Sequence, residues 1–301
     1  MSGLLTLRGC PRPVIEDLLD NAERFGKQIE GRDKASTELA GVTVTTAFFE
    51  PSTRTRLSFE KAAFHLGAHV MTFSPESSSL DKGESLRDTA LTLGALGSDV
   101  LVVRHGKVGV PGLVARWTGL PVVNAGDGRG EHPTQALADL LTMRKHFGAV
   151  DDLRVGIVGD IANSRVARSH LWALPAFGVD LTLVAPRTLL PTSNPWGVRM
   201  ETDLDAVIAK LDVVYLLRVQ RERGAAAGFP NLSGYAARFG LTEARLALLQ
   251  PAAVIMHPGP INRGVEICAA GAESSRSLIL DQVANGVSIR MSVLASLMGA
   301  G

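Results

Sequence analysis

Three hydroxyls and two guanidinium groups occupy five consecutive residues, Ser52-Thr53-Arg54-Thr55-Arg56, directly after Phe48-Phe49-Glu50-Pro51. The β-branched run Val42-Thr43-Val44-Thr45 leads into them, and a helical spacing follows through Leu57, Phe59, Ala63, Phe64 and Leu66 to Gly67. The cluster therefore sits at a strand-to-helix turn. There the unpaired backbone N–H groups and the positive end of the helix dipole favour an anion. Arginine adds planar donor forks that match phosphate oxygens. An ordinary N-capped surface helix, with Ser52 or Thr53 as the cap and both arginines solvated, would use part of the same pattern. The chemistry that uses all of it is the binding of phosphate or a phosphate-like anion.

Other polar residues stand in comparable places. Arg104 follows the apolar run Asp99–Val103, and His132 opens a helix whose first turn holds Pro133, with Gln135 one turn on. Arg165 follows a Gly-containing strand end at Gly159-Asp160, Arg218-Val219-Gln220 follows another strand, and His257-Pro258-Gly259-Pro260 follows a third. In open α/β sheets ligands bind beyond the carboxyl ends of the strands, which is where all of these fall. Ser79 and Lys82 belong to a Ser-rich loop that ends in Lys82-Gly83-Glu84. A dinucleotide site is disfavoured, because Val155-Gly156-Ile157-Val158-Gly159-Asp160 lacks the full glycine fingerprint and its downstream acid.

The elements that must carry these residues alternate. Apolar spacing predicts a helix over 12–25, then strand 42–49, helix 53–66, strand 69–73, helix 84–96, strands 99–104 and 120–124, and a long helix over 133–147. A second series follows: strand 154–159, a helix to 177, strand 180–185, a helix near 202–210, strand 212–217, a helix near 242–249, strand 252–256 and a last helix over 279–299. The expected fold is two α/β domains, each a parallel sheet flanked by helices, with the C-terminal helix packing back on the first. The expected division is residues 1–140 plus about 285–301 for the first domain and 141–284 for the second.

The bulk numbers exclude several classes. At 301 residues, 46% hydrophobic and with a net charge of +1, the chain has ample core and no electrostatic pull toward nucleic acid or an anionic membrane. An anionic substrate would have to be drawn by a local cluster of arginines. Two cysteines make neither a disulfide framework nor a metal site, and the residues call for no cofactor. Without a long apolar span or a signal-like N-terminus, the expected location is the cytoplasm.

Five phrases, in order from residue 48 to residue 266, resemble the aspartate and ornithine carbamoyltransferase family. They are Phe48–Arg56, Asn124–Leu140, Gly159–Arg165, Leu217–Arg223 and His257–Glu266. The resemblance implies that Ser52, Thr53, Arg54, Thr55 and Arg104 hold carbamoyl phosphate, that His132 hydrogen-bonds its carbonyl oxygen and that Gln135 holds its amide. It implies that carbonyls of the turn at Gly259 and Pro260 grip the carbamoyl nitrogen and the incoming amine, with a cis Gly259–Pro260 bond, a form that only X–Pro bonds adopt cheaply. It makes Arg165, Arg218 and Gln220 the ligands of an amino acid's carboxylates. In this family the loop of Ser79 and Lys82 reaches a neighbouring subunit of a homotrimer, so both would serve the neighbour's site. Many relatives carry two adjacent lysines there, whereas here Asp81 precedes the single Lys82.

The implied reaction moves the carbamoyl group of carbamoyl phosphate to the α-amino group of L-aspartate, an early step of pyrimidine synthesis. Thr55, Arg104, His132 and Lys82 would be catalytic. Ornithine carbamoyltransferase is the alternative, but ornithine's ammonium would face the cationic Arg218. A non-catalytic homologue is a further alternative, though it would have no physical need for Arg54, Arg104, His132 and Gln220. Nothing in the residues assigns a regulatory chain or a dihydroorotase as partner.

Overall fold

The computed structural model describes residues 3–31, 36–75, 83–219 and 232–299. The chain divides into two compact units, residues 1–141 with 283–301, and residues 142–282. Each is built on one five-stranded sheet whose strand pairs are all parallel.

The first sheet takes β1 (Gly3–Leu4), β5 (Val122–Asp127), β4 (Val100–His105), β2 (Thr43–Phe48) and β3 (His69–Phe73), in that order. Its inner strands are buried almost throughout, with the apolar run Val100–Val103 in β4 at the centre and buried threonines in β2. Leu101, Val103 and Val122 pack with Ala47, Leu93, Val110 and Val114 in one cluster. Truncating a buried leucine of this kind costs about 2–5 kcal/mol. Thr45 lies buried among these strands and exchanges a 2.6 Å hydrogen bond with Ser98. Four helices of this unit connect or cover the strands: α1 (Arg12–Glu30), α2 (Thr53–His65), α3 (Leu86–Ala95) and α4 (Val110–Thr118). In α1 the buried face is Ile15, Leu18, Leu19, Ala22 and Phe25, the spacing that predicted the helix.

The second sheet takes β10 (Val254–Met256), β9 (Val213–Leu216), β6 (Arg154–Val158), β7 (Asp180–Val184) and β8 (Arg199–Glu201). Its helices are α6 (Arg165–Ala173), α7 (Leu232–Phe239), α8 (Glu243–Leu248) and α9 (Ala269–Glu273). The long helices α5 (Pro133–Phe147) and α10 (Ile279–Leu297) span the division. The C-terminal part of α10 packs on the first unit as expected: Ser292 Oγ donates to the Leu18 carbonyl at 2.7 Å, and the Arg290 guanidinium lies 5.0 Å from the Phe59 ring centroid.

Several expectations change, and α9 is an added helix between β10 and α10. The segment between the strands at 99–104 and 120–124 holds α4, framed by Gly109 at φ +82° and Gly119 at φ +70° and started by Pro111. The helix expected near 202–210 does not form: after β8 the chain runs through bends and turns to a short 3₁₀ turn, Ile208–Lys210. Asp203 accepts from the Asp205 N–H at 3.0 Å, a local bond that competes with helix hydrogen bonding. The polar stretch before residue 240 holds α7. β1 is too short to leave an apolar alternation in the sequence. Among the described residues no helix is long and apolar enough to cross a membrane.

Candidate active site

In the first unit the strand order turns at β2, which has β3 on one side and β4 on the other. Phe48 pairs with Arg104, and the Phe49 N–H donates to the Arg104 carbonyl at 2.9 Å. The carboxyl ends of β2 and β4 are therefore level, at the kind of switch where α/β sheets bind ligands. Ser52 is the N-cap of α2 in an extended conformation, and its hydroxyl makes no capping hydrogen bond. Thr53 and Arg54 are exposed and Thr55 is buried. A cap residue whose hydroxyl does not cap leaves the first-turn N–H groups to an outside acceptor. Arg56 turns away along the helix, with Nε 3.8 Å from Glu60 Oε1.

Arg104 is held across the strand ends by two bonds. Its Nη2 donates to Glu50 Oε1 at 3.1 Å and its Nη1 to the Ala125 carbonyl at 3.3 Å. The next strand over, β5, delivers His132. Here Asp127 organises the loop: Oδ2 accepts from the Gly109 N–H at 2.7 Å, while Oδ1 accepts from the Glu131 N–H at 2.7 Å and Asn124 Nδ2 at 3.1 Å. Gly128 sits at φ +47°, and a Cβ there would meet the Gly106 carbonyl oxygen at 2.7 Å. His132 is buried at 4% exposure, and its carbonyl receives the N–H groups of Gln135 and Ala136 at the start of α5. Gln135 Nε2 donates to Asp139 Oδ1 at 2.9 Å, which aims the amide.

Behind these groups lies Arg290, 3% exposed, with Nη1 on the Gly286 carbonyl at 2.7 Å. Burial pulls its pKa down to about 10, Asp139 resists the fall, and Arg104 adds to it. It stays protonated near neutrality and adds positive charge beside Arg104. His105, beside Arg104, is held below its ordinary pKa by burial and by Lys107.

The second unit repeats the plan. Its order turns at β6, with β7 on one side and β9 on the other. Val158 pairs with Leu216, and Tyr215 with Met256, so the ends of β6, β9 and β10 are neighbours. After β6, Gly159 at φ +130° passes so close to Leu217 that a Cβ would meet its carbonyl oxygen at 2.9 Å. Ser164 caps α6 by accepting from the Ala167 N–H at 3.1 Å, and Arg165 follows at the helix start, 9% exposed. After β9, Arg218 is half-buried. After β10, the Gly259–Pro260 bond is cis, as expected. The Gly259 N–H donates to His257 Nδ1 at 2.8 Å, so a neutral His257 carries its proton on Nε2.

Each unit therefore gathers its candidate residues at three adjacent strand ends. Ser52, Thr53, Arg54, Thr55, Arg104, His132 and Gln135 belong to the first unit, and Arg165, Arg218, Gly259 and Pro260 to the second. Ser79, Lys82 and Gln220 lie outside the described residues. Sequence reasoning passed over Glu50, Asp127, Glu266 and Arg290. The available signal was an acidic residue at or just past a strand end for Asp127 and Glu50, and for Arg290 a lone cation in an apolar helix.

Comparison with known proteins agrees across the whole chain. Residues 3–145 match the family described as "Aspartate/ornithine carbamoyltransferase, carbamoyl-P binding domain", and residues 151–297 match its "Asp/Orn binding domain". The chain is 52% identical over 302 aligned residues to the aspartate carbamoyltransferase catalytic subunit of Acidothermus cellulolyticus, covering 100% of this chain and 94% of that one. It is 48% identical to the same subunit of Rhodococcus erythropolis, over 99% of this chain and 98% of that one. Among solved structures, the aspartate transcarbamoylase of Trypanosoma cruzi in complex with N-(phosphonacetyl)-L-aspartic acid superposes with a TM-score of 0.92 at 33% identity, covering 98% of this chain and 95% of that one. The same protein with carbamoyl phosphate and aspartate gives 0.90 at 33% identity, covering 98% and 96%.

Proposed function

Since the chain belongs to the aspartate/ornithine carbamoyltransferase family, we propose that it transfers the carbamoyl group of carbamoyl phosphate to the α-amino group of L-aspartate, giving N-carbamoyl-L-aspartate and phosphate. The observation that carries this reading is the pair of cationic strand-end clusters, one in each unit. Arg54 and Arg104 suit a phosphate, and Arg165 with Arg218 suits a dicarboxylate amino acid.

The roles follow from the residue types. Ser52, Thr53, Arg54, Thr55 and Arg104 hold the phosphate, with Ser79 and Lys82 supplied by a neighbouring chain. Thr55, Arg104 and His132 donate to the carbonyl oxygen, where negative charge develops as the amine attacks. Fixed donors aimed at such an oxygen are usually the largest catalytic contribution. Gln135 and the carbonyls at Gly259 and Pro260 hold the carbamoyl nitrogen and the amine. Arg165, Arg218, Gln220 and Lys82 bind aspartate. As the C–N bond forms and the C–O bond to phosphate breaks, the departing phosphate takes the amine proton, so no protein base is needed. The first domain, 1–140 with about 285–301, carries carbamoyl phosphate, and the second, 141–284, carries aspartate. The product is a pyrimidine precursor, and the reaction belongs in the cytoplasm.

A homotrimer with shared sites fits the exposed apolar side chains on β3 and α3, which flank residues 76–82, and on α2. These are Leu57 and Phe64 on α2, Val70 on the edge strand β3, and Leu91 on α3. Mixing Lys82→Ala chains with Arg54→Ala chains should then restore part of the activity, and absence of rescue would place each site within one chain.

The direct test incubates the purified chain with carbamoyl phosphate and either L-aspartate or L-ornithine, then measures ureido product and phosphate. Product with aspartate alone is expected. Product with ornithine alone would keep the phosphate site but overturn the roles of Arg218 and Gln220.

A further inference from the structure

Glu266 sits in the second unit at 1% exposure and takes no part in the proposed chemistry. Its Oε1 accepts from the Val219 N–H at 2.8 Å and from Asn262 Nδ2 at 2.7 Å, and its Oε2 accepts from the Asn262 N–H at 2.8 Å. A buried carboxylate is tolerated only when its oxygens are satisfied, and three N–H donors do that here. The donors matter for where they lie. Val219 directly follows Arg218 after β9, and Asn262 comes two residues after Pro260, in the turn after β10.

The third strand-end loop is close as well. A Cβ on Gly159 would meet the Tyr235 hydroxyl at 3.1 Å. That phenol is pushed well above its ordinary pKa by burial, with Glu266 and Asp160 adding to the rise. Glu266 and Tyr235 thus lie beneath the loops that leave β6, β9 and β10.

We propose that Glu266 is a positioning residue for the amino-acid substrate: one carboxylate clamps the Val219 N–H and the Asn262 turn, and so sets the Arg218 guanidinium relative to the Gly259–Pro260 carbonyls. This rests on the reading of Arg218 as an aspartate ligand. The chemistry requires a carboxylate in particular. A glutamine has the same size, but it must turn an NH₂ donor toward either the Val219 N–H or the Asn262 N–H. The clamp would then open at one end with little change in packing.

The test is steady-state kinetics with both substrates, alongside thermal unfolding, for Glu266→Gln, Asn262→Ala, Arg218→Ala and the Glu266→Gln/Arg218→Ala pair. Glu266→Gln should raise the aspartate KM roughly ten- to a hundredfold, the scale of a lost hydrogen bond to a charged group, and leave the carbamoyl phosphate KM within about threefold. Asn262→Ala should give a smaller rise in the same parameter, and it decides by the same split if Glu266→Gln does not fold. The pair should bind aspartate no worse than Arg218→Ala alone, because both act through one contact. An unchanged aspartate KM in Glu266→Gln beside a raised one in Arg218→Ala overturns the positioning role and spares the proposed function. Parallel rises in both KM values, or additive losses in the pair, reduce Glu266 to a purely structural part. An unchanged aspartate KM in Arg218→Ala overturns the reading of Arg218 and the inference together.

Discussion

Under the proposed function the two units solve one problem, holding an anion at the carboxyl ends of three neighbouring parallel strands, with different means. In the first, the polar groups belong to or adjoin regular elements: Ser52 is the N-cap residue of α2, His132 immediately precedes α5, and Arg104 is the fifth residue of the six in β4. In the second, only Arg165 starts a helix, while Arg218 and the Gly259–Pro260 turn lie on loops. The supporting carboxylates differ to match. Glu50 binds the Arg104 guanidinium directly, and Asp127 shapes the backbone ahead of His132, whereas Glu266 joins the backbone of two loops. The contrast fits the ligands proposed. A phosphate is compact and nearly rigid, so helix starts suffice, whereas an amino acid with two carboxylates and an amine needs cations set on separate loops.

The sharpest way to break the comparison is Arg54→Ala, expected to lower kcat/KM for carbamoyl phosphate by roughly a thousandfold through loss of a charged donor at the phosphate. Near-normal turnover would remove the first unit's role. Arg218→Ala should instead raise the aspartate KM roughly ten- to a hundredfold and leave the carbamoyl phosphate KM nearly unchanged. An effect confined to carbamoyl phosphate would merge the two halves that the comparison separates.

Two glycines sharpen it further. Gly128→Ala and Gly159→Ala each force a Cβ against a carbonyl oxygen, at 2.7 Å and 2.9 Å, in a backbone conformation that only glycine adopts comfortably. Each should cost about 1–3 kcal/mol in thermal unfolding. The kinetic damage should divide, with carbamoyl phosphate affected by the first and aspartate by the second. Damage to the same substrate in both variants would contradict the division.

The smallest effect concerns acid. Asp212 and Asp205 are held below the ordinary 3.8, chiefly by side-chain hydrogen bonds from Arg154 and Arg245. A carboxylate with a depressed folded-state pKa stabilises above its unfolded pKa, and that stabilisation is lost as pH falls through the folded value. Unfolding followed between pH 5 and 2 should therefore show a shallower acid limb in Asp212→Asn, and an unaltered slope would remove this pair from the account.

Most of the fold could be read from residues. The β-branched run of β2, the apolar runs of β4, β6 and β9 and the periodic face of α1 announce themselves, because burial on both sides of a sheet or on one side of a helix leaves a pattern. α4 escaped notice because only nine residues separate its two framing glycines, and its apolar positions look like loop between strands. The candidate site residues Arg54, Arg104, His132 and Arg218 were visible as polar residues at or beyond strand ends. Glu50, Asp127 and Glu266 were not, since each also acts on a group that folding brings to it: Arg104 for Glu50, the Gly109 N–H for Asp127, and for Glu266 the Val219 N–H, 47 residues away in sequence. Arg290 is the extreme case, a cation in the last helix whose electrostatic neighbours are Arg104 and Asp139.

That last helix also bears on how the protein is born. The first unit comprises residues 1–141 and 283–301, whereas the second is the unbroken stretch 142–282. A ribosome adding about 5–20 residues per second keeps the N-terminal part waiting roughly 7–30 seconds while the second unit is made, because the C-terminal residues that complete its core come last. Here the usual N-to-C order of domain maturation is reversed. The first unit, although begun first, is finished only after residues 283–301 have been made, and in the interval the surface meant for α10 is one that chaperones can see.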